Sequence, residues 1–238
     1  MGLRVGFDMD GVLADFGSAY RETERTLFGD VNEEAPDAPE DDLTSAGQTD
    51  VVAPAATNPR DVSRRRRVVW DRIRSTTDFW TTLKPTEPDA VRRLHALMTR
   101  YRWEVMFITQ RPATAGETVQ RQTQRWLIQQ GFDIPSVLVI AGSRGAAIHA
   151  LRLTHHVDDS PQNCVDVKSD AEAMPILVTG KDTSTARQAR KIGIAVAASL
   201  GECFEILESA SRTQTRSSAL SRLAALVNWS DANQRAVR

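Results

Sequence analysis

Six short apolar runs, each ending in a turn and each followed by a segment of helical character, constrain this chain more than any other feature of its sequence. They occupy residues 3–8 (LRVGFD), 103–109 (WEVMFIT), 136–141 (SVLVIA), 155–158 (HHVD), 176–179 and 194–197. Strands that alternate with helices need crossover connections. Right-handed crossovers lay successive strands parallel in one sheet, with helices on both faces. The pattern predicts an α/β fold built on a Rossmann-like parallel sheet.

Helices are expected at 15–28 and near 62–73, where Val69, Trp70 and Ile73 form an apolar stripe, and at 88–100. In the last of these, Val91, Leu94, Leu97 and Met98 recur at three- and four-residue intervals, and Pro88 suits a first turn. Further helices are expected at 115–130, which Gly131 ends, at 146–153, after Pro161, at 184–192 and at 201–210. The first two helices fall between the first and second strands, so residues 16–85 form a helical insertion in a core made of 1–15 and 86–210. Within it, 30–61 carries Asp30, Glu33, Glu34, Asp37, Glu40, Asp41, Asp42 and Asp50 among four prolines. That stretch holds too little apolar surface to offset the entropy of ordering it and is expected to be a mobile loop. Residues 211–238 add an amphipathic segment near 220–227 and a polar tail.

Composition excludes several functions. With 30 Lys and Arg against 31 Asp and Glu, the net charge is -1, so no global field holds a nucleic acid or an anionic membrane. The two cysteines, Cys164 and Cys203, lie far apart without ligand spacing, against a disulfide framework or a structural zinc. No apolar run approaches the roughly 20 residues that span a bilayer, and the N-terminus has no signal-like apolar region. The expectation is a cytoplasmic protein with a hydrophobic core, 41% of its 238 residues being apolar.

Ligands of open parallel sheets bind outside the carboxyl ends of the strands. Here the first strand ends in Asp8-Met9-Asp10-Gly11 and the second in Thr109-Gln110-Arg111; the third leads to Ser143-Arg144-Gly145, and the fourth ends in Asp158-Asp159. Acids brought together from two turns repel unless a cation sits between them, and oxygen donors without His or Cys favour Mg²⁺.

This ordered set resembles the haloacid dehalogenase superfamily of phosphohydrolases, whose pattern is DxDG, then Thr or Ser, then Lys or Arg, then an acidic pair. Residues 8–16 (DMDGVLADF) resemble the opening of the 5'(3')-deoxyribonucleotidases in that superfamily. The similarity continues through Trp70, residues 78–94 (DFWTTLKPTEPDAVRRL), the FIT strand and residues 157–163 (VDDSPQN). The resemblance implies a Mg²⁺-dependent phosphomonoesterase acting on a nucleoside monophosphate, with the insertion as a cap. It makes Asp8 the nucleophile and Asp10 the acid and base. Mg²⁺ would rest on Asp8, Asp159 and the Asp10 carbonyl, with Asp158 beside them. Phosphate would be held by Thr109, Gln110, Arg144 and the turn at Gly11, and the base would stack on Phe16, Phe79 and Trp80. Arg144 stands where the family most often has Lys, and Gln110 where the nucleotidases have Ser; Lys occurs here only at Lys84, Lys168, Lys181 and Lys191.

Plainer expectations stand beside these. Phe79 and Trp80 also suit packing between insertion and core. His155 and His156 suit local hydrogen bonding better than ligation, having no further donor at zinc spacing. Arg64 to Arg67 suit a solvated helix face. Two rival functions remain: a phosphatase for another small ester, such as a sugar phosphate or a nucleic-acid end, and a non-catalytic phosphate-binding protein.

Overall fold

The computed structural model describes residues 2–29, 59–180 and 183–214. The expected strands are present as β1 (Arg4–Asp8), β2 (Glu104–Thr109), β3 (Ser136–Val139), β4 (His155–Asp158), β5 (Met174–Val178) and β6 (Ala195–Ala197). They form one wholly parallel sheet in the order β3-β2-β1-β4-β5-β6. The chain builds outward from β1 to β3, then returns to the other side of β1 and builds outward again. Connections diverge between β1 and β4, which opens a crevice at their carboxyl ends.

Eight helices accompany the described strands: α1 (Phe16–Phe28), α2 (Pro59–Ser75), α3 (Ala90–Tyr101), α4 (Val119–Gln129), α5 (Arg144–Ala150), α6 (Pro161–Asp170), α7 (Ser184–Lys191) and α8 (residues 200–214). Side-chain caps fix most starts. Asp15, Thr118, Ser143, Ser160 and Thr183 each accept the N–H three residues on, meeting a donor the first turn leaves orphaned. The predicted 115–130 helix therefore begins only at Val119, after the Thr118 cap. In the same way α2 begins at Pro59, inside the predicted loop, because proline fits a first turn and Asp61 suits a helix N-terminus. The rest of that acidic loop and the predicted 220–227 segment lie outside the described residues.

The two sheet faces bury different sets. Val5 and Phe7 of β1 and Val105 and Phe107 of β2 pack with Leu94 of α3 and with Phe204 and Leu207 of α8, all in one cluster. That cluster runs on into the insertion through Phe16, Trp70, Ile73, Phe79 and Trp80, so insertion and sheet share one core. Two indoles pin them together: Trp126 Nε1 donates to the Leu83 carbonyl (2.7 Å) and Trp80 Nε1 to that of Pro112 (3.0 Å). On the opposite face Ile108, Ile148 and Val167 form a smaller cluster under α5 and α6. Among the described residues no helix is long and apolar enough to cross a membrane.

Both cysteines are buried, and burial pushes the Cys203 thiol far up from its ordinary range, with Glu87 adding to the effect. A thiol reacts through its thiolate. Neither cysteine is expected to react with a disulfide reagent at neutral pH until the chain is unfolded in denaturant. Rapid labelling of the native protein would contradict this packing.

Candidate active site

The turn after β1 is shaped by its neighbours. Gly11 adopts φ +81°, a left-handed conformation that glycine takes without cost, and its N–H donates to the Ala14 carbonyl (2.9 Å). Residues 84–86 strap this turn from outside. Thr86 donates its N–H to Leu13 O (2.9 Å) and its hydroxyl to Val12 O (2.6 Å), and Asp15 N–H reaches Lys84 O (2.8 Å). Asp159 presses against the turn so closely that a Cβ on Gly11 would lie 1.7 Å from its Oδ2.

Asp8, at the last position of β1, is buried. Burial raises its pKa well above the ordinary carboxylate value, and Asp158, Asp159 and Asp10 push the same way, while Arg144 pulls it down. A bound cation would act with Arg144. Arg144 opens α5 and turns inward, where only 3% of it is exposed. Its Nη2 donates to Asp8 Oδ1 (2.6 Å), its Nη1 to the Ile108 carbonyl (3.0 Å), and its Nε lies 3.4 Å from Asp158 Oδ2. A guanidinium thus stands between two of the carboxylates for which the sequence demanded a cation.

Asp10 is held by a residue to which the sequence assigned no role. Arg111 grips it by a two-pronged pair, Nε to Oδ2 (2.8 Å) and Nη2 to Oδ1 (2.6 Å). Its remaining Nη1 donates to Thr123 Oγ1 (3.0 Å), and its guanidinium lies 4.7 Å from the centre of the Trp80 ring. Bidentate pairing and ring stacking are geometries only arginine supplies. The one sequence cue was its place beside Thr109 at a strand end, directly before Pro112.

The remaining candidates divide. Asp8, Asp10, Gly11, Phe16, Trp80, Thr109, Gln110, Arg144 and Asp159 all line one cleft of about 620 Å³ at the ends of β1, β2 and β4. Gln110 lies at its wall, where its amide nitrogen donates one hydrogen bond to the Gly142 carbonyl (2.7 Å) and braces that loop. Asp158 does not reach the cleft. Burial pushes its pKa up, but the His156 ring, Arg144 and the Ser160 N–H outweigh burial and hold it below the ordinary value. Phe79, expected in the base sandwich, does not line this cleft. It lines a separate groove of about 290 Å³ bounded by α1 and α2, because the 3-10 turn Phe79–Thr81 sends adjacent side chains about 120° apart. Phe16 and Trp80 are engaged with each other at 5.5 Å, and Phe16 also stacks on Trp70 at 5.5 Å. The histidines find local partners, His155 at Thr154 Oγ1 (3.0 Å) and His156 at Asp158 Oδ2 (2.8 Å), and burial lowers the basicity of both.

Among the described residues no three acidic, His or Cys side chains form a complete metal shell. Asp8 and Asp159, with the Asp10 carbonyl, would supply three oxygens. That number suits Mg²⁺, which keeps several waters and binds through one or two carboxylates plus phosphate. The charges also fit: Asp8, Asp10, Asp158 and Asp159 outnumber Arg111 and Arg144, leaving an excess of negative charge at the crevice.

No protein-family model matches the sequence, and no curated protein does. The fold, in contrast, is similar to solved structures. They include a HAD family hydrolase from Deinococcus radiodurans with bound phosphate and sodium (16% identity, TM-score 0.54, 87% of this chain and 95% of that one). A protein assigned as a beta-phosphoglucomutase from Thermotoga maritima matches at 18% identity and TM-score 0.50, over 87% of this chain and 99% of that one. A haloacid dehalogenase-like hydrolase from Streptococcus pneumoniae matches at 12% and 0.50, over 86% and 97%. At such identities the likeness establishes the shared α/β architecture.

Gly11→Ala is expected to lower unfolding free energy by about 1–2 kcal/mol from its left-handed backbone alone, and by more as Asp159 is displaced. A urea titration that leaves stability unchanged would contradict the turn described.

Proposed function

We propose that this chain is a phosphomonoesterase of the haloacid dehalogenase type that works through an aspartyl-phosphate on Asp8. The observation that carries the proposal is the meeting of Asp8, Asp10, Thr109, Arg144 and Asp159, from four separate strand ends, around one cleft at the sheet's switch point. Asp8 attacks phosphorus in line while the ester P–O bond breaks and the leaving oxygen takes a proton from Asp10. Because Oδ1 is engaged by Arg144, Oδ2 is the attacking oxygen. Water then attacks the phosphorus of the aspartyl-phosphate, gives its proton to Asp10, and releases inorganic phosphate with the Asp8 carboxylate restored.

Arg111 shapes Asp10's part. Its fork holds both carboxyl oxygens of Asp10 and so fixes where that group stands for its proton transfers. Donation in the first step requires one of those two bonds to open. Thr109, buried at the end of β2, offers its hydroxyl to a phosphate oxygen, and Arg144 neutralises charge from below. Mg²⁺ on Asp8, Asp159 and the Asp10 carbonyl would offset the repulsion between an anionic nucleophile and an anionic phosphate.

For the substrate, the resemblance of residues 8–16 favours a nucleoside monophosphate. A second reading, a small polar ester such as a sugar phosphate, is favoured by a specific observation: the rings of Phe16, Trp70 and Trp80 pack on one another, and Arg21, Asn163 and Thr179 also line the cleft. In both cases the protein acts on a small molecule.

Steady-state assays with Mg²⁺ over a panel of nucleoside monophosphates, sugar phosphates and phosphorylated oligonucleotide ends test both levels. Turnover that vanishes in folded Asp8→Asn is expected. Activity that survives this change would overturn the mechanism, and a preference for sugar phosphates would overturn the nucleotidase reading while leaving the mechanism intact.

A further inference from the structure

We infer that His156 is a positioning residue for the nucleophile, acting through Asp158 and Arg144; the inference rests on the phosphomonoesterase reading above. His156 and Asp158 lie two apart on β4 and therefore point to one face of the sheet. On that face they meet, with His156 Nε2 donating to Asp158 Oδ2 over 2.8 Å. The other oxygen, Oδ1, accepts the Ser160 N–H (3.0 Å) and the Asn163 amide (3.1 Å). Asp158 is thereby held at both ends and cannot rotate. Its Oδ2 faces Arg144 Nε at 3.4 Å, and Arg144 reaches Asp8 Oδ1 at 2.6 Å. The whole line from His156 to Asp8 is buried.

The neighbouring strand makes room for this arrangement. Gly6 of β1 stands opposite His156 in the parallel register, and a Cβ there would lie 2.8 Å from His156 Nδ1. A side chain at position 6 would displace the ring. The need for such a brace follows from the cation. An ammonium is a compact charge that finds two carboxylates from many directions, whereas a guanidinium is a planar fork whose bearing matters. Arg144 Nε lies 3.4 Å from Asp158 Oδ2, and the angle of the Asp158 carboxylate sets where the fork points and with it the place of Asp8 Oδ1. Loss of the His156 donor frees Asp158 to turn, and Arg144 and Asp8 shift with it. Small misplacements of a reacting group are costly in rate.

The test is a cycle of variants assayed on the best substrate of the panel, with folding checked by circular dichroism. His156→Leu is expected to lower kcat by about 10- to 100-fold, the scale typical of groups that orient a ligand from behind. His156→Gln, which can place an N–H where Nε2 stands, should recover most of that loss, and the shorter His156→Asn should not. In an Arg144→Lys background, His156→Leu should cost less than about threefold, because the fork it steadies is gone. Equal costs in both backgrounds, or a folded His156→Gln as slow as His156→Leu, would overturn the inference and leave the phosphatase reading standing. A wild-type chain that hydrolyses no phosphomonoester with Mg²⁺ would sink that reading and this inference together.

Discussion

Everything at the crevice follows from an excess of buried negative charge. Asp8 and Asp158 leave water almost completely, Asp10 and Asp159 crowd beside them, and isolated buried carboxylates are expensive. Two arginines offset part of that cost. Arg144 comes from α5 between Asp8 and Asp158, and Arg111 comes from the end of β2 to Asp10. What they leave unbalanced is what a divalent cation would complete. That balance is the ground for the proposed pairing of an anionic substrate with a metal, since neither arginine alone can neutralise a phosphate and the acids together.

The fold supplies the crowding. Parallel strands place all their carboxyl ends on one edge, and the reversal of strand order between β1 and β4 keeps that edge open. The turn after β1 is then fixed from three sides: by Gly11 in its left-handed conformation, by the 84–86 strap, and by Asp159 pressing on its face. The insertion closes the remaining side with Phe16, Trp70 and Trp80. These rings extend the same hydrophobic core that fills the space between sheet and helices, so the wall of the cleft is part of the folding core rather than a separate lobe.

Much of this was legible in the sequence because it is written in local pattern. Apolar runs ending in Asp8, Thr109 and Asp158 marked the strands and the polar residues at their ends, since a strand's side chains are set by its own residues and its turn. The acidic pair after the fourth run was visible too, but the approach of Asp159 to Gly11 was not. What the sequence did not reveal depends on long-range geometry. Arg111 reads as an ordinary strand-end residue until β1 brings Asp10 to it, 101 positions away. The three aromatic candidates are alike on paper, and only the 3-10 turn separates Phe79 from Trp80. His156 reads as a local hydrogen bond, which it makes, but the weight of that bond lies in the guanidinium beyond it.

The central claim is that Asp8 becomes covalently phosphorylated during turnover. Acid quenching during the reaction, followed by peptide mass spectrometry, measures this directly. The account predicts a phosphoryl group that is lost in alkali, carried by the peptide containing Asp8, dependent on Mg²⁺ and absent from Asp8→Asn. Turnover at full rate with the phosphoryl group on another residue, or with no phosphorylated protein at any time point, would contradict it.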